Sequence, residues 1–80
     1  MVEEAKSRLE AAFDGAEIAV AGEGNRCEVR VVSDVFSGLS RVKRQQAVYA
    51  AIGDLIAAGT IHAVTIRALT PDEARGPAAS

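Results

Sequence analysis

Apolar positions recur along this chain with two different periods, and the switches between them mark its elements. Val2, Ala5, Leu9, Ala12 and Phe13 fall at helical spacing, with Glu3, Glu4, Lys6, Arg8 and Glu10 on the other side. That pattern predicts an amphipathic helix over residues 2–14. Asp14-Gly15 ends it, glycine supplying the left-handed conformation that closes a helix. From Glu17 to Ala21 the period drops to two, with Ile18 and Val20 on one face of a strand. Gly22-Glu23-Gly24-Asn25-Arg26 reads as a flexible hairpin loop. A second alternating run over residues 27–33 points Cys27, Val29 and Val31 one way and Glu28 and Arg30 the other.

After a connection containing Phe36 and Gly38, Ser40 caps a second helix that runs to about residue 58 and stops at Gly59. Val48, Ile52, Leu55 and Ile56 form its apolar stripe. A third strand spans residues 61–69. Thr70-Pro71-Asp72-Glu73 then begins a short capped helix, with Thr at the cap, Pro first in the helix and Glu three residues after the cap. The order is α-β-β-α-β plus that terminal helix. The hairpin makes the first two strands antiparallel, and the helical crossover makes the second and third parallel. The expected fold class is an α+β two-layer sandwich: a three-stranded mixed sheet with both long helices on one face. Phe13, Ile18, Val20, Val29, Val31, Val48, Ile52 and Leu55 are its expected core. Residues 1–75 form one domain, and residues 76–80, rich in small side chains, form a flexible tail.

Composition narrows the function. Eighty residues bury only roughly 60% of the surface an unfolded chain exposes, which leaves little room for a deep substrate cleft. Aromatic residues make up 4% of the chain, so the core is aliphatic. Nine basic and eleven acidic side chains give a net charge of −2 and no general attraction to nucleic acid or anionic lipid. A single cysteine rules out an internal disulfide and a four-cysteine zinc site, and it fits a reducing compartment. No stretch approaches the roughly 20 apolar residues of a membrane span, and the acidic start lacks a secretory signal, so a cytoplasmic protein is expected.

Candidate chemistry is sparse. Cys27 and His62 are the one possible Cys/His pair, but the alternation puts Cys27 on the core side, where free cysteine behaves as a small hydrophobe. Gly22-Glu23-Gly24 lacks the third glycine and following helix of a dinucleotide fingerprint. Arg41, Lys43 and Arg44 open the second helix, where cations oppose the helix dipole. That unfavourable choice sets a binding role, toward phosphates or an acidic partner surface, beside the plain reading of a solvated first turn. His62 is the sole histidine; one imidazole cannot hold a metal tightly without ligands from another molecule.

The run Phe36-Ser37-Gly38-Leu39-Ser40-Arg41-Val42-Lys43-Arg44-Gln45-Gln46-Ala47-Val48-Tyr49, then Gly59-Thr60-Ile61-His62-Ala63-Val64, then Leu69-Thr70-Pro71-Asp72-Glu73, resembles the BolA family, in particular its short bacterial branch. The resemblance implies a fold like a class II KH domain without the G-x-x-G loop that clamps nucleic acid. It also implies a non-enzymatic partner of monothiol glutaredoxins. In that family a heterodimer holds a 2Fe-2S cluster between a glutaredoxin cysteine, glutathione, a histidine matching His62, and a second histidine or cysteine from the hairpin loop. Where related short members carry the loop histidine, this chain has Arg26, which cannot ligate, followed by Cys27. Either Cys27 swings out to complete the site, or the fourth position is weak, or the partner is bound without a cluster. The cofactor is thus expected only when shared with a glutaredoxin and glutathione. The competing function is a nucleic-acid-binding regulator using Arg41, Lys43 and Arg44.

Overall fold

The computed structural model describes residues 2–24, 26–59, 61 and 63–79, with the side chains of residues 76–79 excepted. Its elements are α1 (Val2–Ala12), β1 (Glu17–Glu23), β2 (Arg26–Val32), a 3-10 turn (Asp34–Phe36), α2 (Arg41–Ala57), β3 (Ala63–Leu69) and α3 (Pro71–Ala79). The sheet order is β1-β2-β3, with β1 antiparallel and β3 parallel to the central strand. This is the expected mixed sheet and order of elements.

Register explains why one face is dry. Ile18 pairs with Val31 and Val31 with Ala68; Val20 pairs with Val29 and Val29 with Ile66. These rows point toward the helices, where Ala5 and Leu9 of α1 and Val48, Ile52 and Leu55 of α2 complete the core. The alternate rows, Ala19, Arg30, Arg67 and Ala21, Glu28, Thr65, face outward. Of these six only Arg30 is even partly covered, so both long helices lie on the same face.

Three parts of the expected core differ. Ile18, Val20 and Phe13 are half-buried rather than buried. The first two lie on an edge strand with a neighbour on one side only, and Phe13 lies just past the end of α1. Phe36, read from the sequence as part of a connection, is instead fully buried. Ser33 accepts a hydrogen bond at its Oγ from the Val35 N–H (3.2 Å), and the resulting 3-10 turn swings Phe36 inward to meet Phe13 at a ring-centroid distance of 5.5 Å.

Element ends also move. The hairpin loop shrinks, because Gly22 pairs with Cys27 and Glu23 with Arg26, leaving a two-residue turn. Gly24 occupies that turn at φ 62°, the positive region that two-residue hairpins require. α3 continues to Ala79 instead of stopping before Gly76. Reciprocal capping by Thr70 and Glu73 nucleates it, and nothing in its first turn interrupts the ladder.

Candidate functional site

The first site lies where the β1–β2 hairpin meets the start of β3. Parallel pairing sets Arg26 opposite Ala63 and Cys27 opposite Val64. Ala63 follows His62 directly in the chain; His62 itself lies outside the described residues. Beside these pairs is an open cavity of about 320 Å³, with Glu23, Arg26, Glu28, Ala63 and Thr65 in its lining.

Cys27 reaches this end of the sheet from inside. Its inward register leaves it 2% exposed among the core residues. Burial pushes its thiol above the ordinary cysteine value, which disfavours the thiolate that metals bind. Arg26, by contrast, is exposed. Among the described residues no three His, Cys, Asp or Glu side chains gather where they could hold a metal. The described donors therefore do not fit a cluster held by this chain alone, and Cys27, 2% exposed although it borders the cavity, would have to turn outward to act as a ligand.

The second site is the start of α2, at the opposite end of the sheet. Ser40, extended at φ −68° and ψ 163°, caps the helix by accepting from the Lys43 N–H at 3.3 Å. Arg41 and Lys43 are exposed. Arg44 borders the same open cavity as Arg41 but adds little to that surface. It turns inward, its side chain 16% exposed, and donates from Nε to Leu39 O (3.0 Å) and from Nη1 to Ala68 O (3.3 Å) and Glu73 Oε1 (2.5 Å).

Glu73 is held twice. The same oxygen accepts from the Thr70 N–H at 3.0 Å, while the Glu73 N–H donates to Thr70 Oγ1 at 3.2 Å. The Arg44 hydrogen bond, with the Thr70 contact, lowers the Glu73 carboxyl below its ordinary value. The cation that opposes the α2 dipole is thus neutralised inside the molecule. Next to it, Gln45 Nε2 donates to Ile66 O at 3.0 Å. Arg44 and Gln45 together occupy two carbonyls of β3, those of Ala68 and Ile66, a role that no residue spacing announced. The capping motif Thr70-Pro71-Asp72-Glu73 was legible, but its second partner sits 29 positions earlier.

Three helices on a three-stranded mixed sheet with one face open define an α+β two-layer fold. Its family follows from comparison. The chain belongs to the BolA-like protein family, whose model matches residues 5–73. It is 51% identical over 67 residues to a protein of the rpoN-murA intergenic region of Acinetobacter guillouiae, covering 84% of this chain and 81% of that one. It is 44% identical over 70 residues to the acid stress protein IbaG of Escherichia coli, covering 88% and 83%. Among solved structures, a BolA protein homologue from Coxiella burnetii superposes with a TM-score of 0.79 at 26% identity, covering 94% of this chain and 96% of that one. Among the described residues no helix is long and apolar enough to cross a membrane.

Proposed function

We propose that this chain is a non-enzymatic, cytoplasmic partner of a monothiol glutaredoxin, acting in 2Fe-2S cluster handling and iron homeostasis, with His62 as its own ligand. Family membership supports the reading. The observation that carries it is the register at the hairpin end: the chain enters β3 immediately after His62, and Ala63 pairs beside Arg26 and Cys27 at an open cavity. Among the described residues, only strand positions line the cavity that such a partner, bringing a cysteine and glutathione, would approach.

The poverty of donors around Cys27 fits a shared site rather than a resident one. When bound, such a cluster supplies electron-transfer or iron-transfer chemistry, and an imidazole in place of a thiolate raises its reduction potential. This chain's contribution is docking and one neutral imidazole, while Cys27 stays in the core. The nucleic-acid reading retains Arg41 and Lys43 but loses Arg44, which Glu73 already neutralises.

Size-exclusion chromatography of an equimolar mixture with a monothiol glutaredoxin and glutathione, under anaerobic conditions with iron and sulfide, tests the partnership. A one-to-one complex is expected. Elution as two separate proteins, with and without iron and sulfide, contradicts it.

A further inference from the structure

The two edges of the sheet are treated differently. On β3 the carbonyls of Ile66 and Ala68 are occupied by the Gln45 and Arg44 side chains. On β1 no hydrogen bond from any described residue reaches the outer backbone of residues 17–23. β1 is also regular. Seven consecutive pairs run from Glu17 opposite Val32 to Glu23 opposite Arg26 without a bulge, and the strand contains no proline. Natural sheets blunt such edges with bulges, prolines, covering side chains or charge, and otherwise use them as templates for another strand.

From this asymmetry we infer that the β1 edge is a strand-addition surface for a partner segment whose two ends are basic. The side chains specify that chemistry. The outward row reads Glu17, Ala19, Ala21, Glu23, all exposed, with small residues between two carboxylates. Six steps along the strand set those carboxylates about 20 Å apart. Glu17 has one loose neighbour, Arg30 at 3.7 Å, and its side chain remains 76% exposed; Glu23 has no ion pair among the described residues. The inward row offers Ile18 and Val20, both only half-buried. An added strand with apolar residues opposite these two completes their burial, while its backbone takes up the free N–H and C=O groups.

A second copy of this chain fits poorly. Antiparallel pairing of β1 with itself about Val20 sets Glu17 opposite Glu23 at both ends, and like charges directly opposite are destabilising. A two-residue shift leaves the same carboxylates diagonal neighbours and shortens the ladder. The complement is a segment of about seven residues with Lys or Arg at its first and last positions and alternating apolar residues between them. The Ala21–Glu23 end of this strand also lines the hairpin-end cavity, but the inference rests on the open edge and its two carboxylates and stands whether or not the proposed function does.

The test is an NMR titration of the whole chain with the end-blocked peptide Lys-Val-Thr-Val-Thr-Val-Lys, against the same peptide with Glu at both ends. Saturable shifts and slowed amide exchange are expected at residues 17–23 and not at residues 64–68, with the Glu peptide at least tenfold weaker. Glu17→Lys with Glu23→Lys should reverse that order, and Glu17→Gln with Glu23→Gln should abolish the discrimination in case the reversal disturbs folding. No saturable shift with peptide on the order of millimolar, shifts centred on β3, equal binding of both peptides, or a β1-mediated homodimer in sedimentation each overturn the inference.

Discussion

Arg44 and Glu73 meet at 2.5 Å across the gap between α2 and α3, joining the start of one helix to the capping box of the other. The guanidinium also satisfies two backbone carbonyls, so the pair fixes the β3 edge and the α3 entry together.

Replacing Arg44 with Ala should therefore destabilise the fold by about 1.5–3 kcal/mol, since charged hydrogen bonds to partly buried acceptors are lost. Arg41→Ala and Lys43→Ala should stay within about 0.5 kcal/mol, because both side chains are exposed. Arg44→Lys should not restore stability, as an ammonium cannot serve three divergent acceptors in one plane. Urea unfolding with an unchanged slope measures all four. Equal midpoints for Arg44→Ala and Arg41→Ala would return Arg44 to the surface patch.

The pH dependence follows from the same carboxyl. Glu73 titrates lower in the folded state than its ordinary value of 4.5. Its contribution is present in full above the unfolded value and disappears as pH falls through the lower, folded one. The thermal midpoint of the native protein should fall in that acid window more steeply than that of Glu73→Gln, as followed by circular dichroism. Parallel curves would mean that the ion pair adds nothing.

Most of the fold was readable because periodicity carries it. The switch from a period of two to helical spacing located every strand and both long helices, and Ser40 and Thr70 were visible as caps. Long-range partnerships left no such trace. Phe36 was missed because one aromatic in a short connection has no period, and its inward turn depends on a hydroxyl three residues earlier. Spacing groups Arg44 with Arg41 and Lys43, because it marks a charge cluster but not which member folds back. The same alternation that placed Cys27 with Val29 and Val31 did foresee its burial.

Phe36→Ala should cost about 3–5 kcal/mol, the range for emptying a fully buried aromatic site. Phe13→Ala should cost less, since its ring is half-exposed, even though the two rings touch. A denaturation series in which Phe13→Ala is the more damaging change would contradict this placement.

Cys27 should resist a thiol reagent such as Ellman's in the native state and react fully once the chain is unfolded. Its burial and raised thiol value both slow attack, because the thiolate is the nucleophile. Cys27→Ser should lower stability by about 1–3 kcal/mol by burying a hydroxyl without a partner. Rapid native labelling would mean that the thiol reaches solvent and is available as a ligand.

We propose that this chain lends His62, and not Cys27, to a cluster shared with a glutaredoxin. The most direct measurement is the visible circular dichroism spectrum of the anaerobic mixture with a monothiol glutaredoxin, glutathione, iron and sulfide. His62→Ala should change that spectrum or shorten the lifetime of the signal, and Cys27→Ser should leave both as in the native mixture. An unaltered spectrum and lifetime in His62→Ala, or their loss in Cys27→Ser with the fold intact, would mean that His62 is not the ligand.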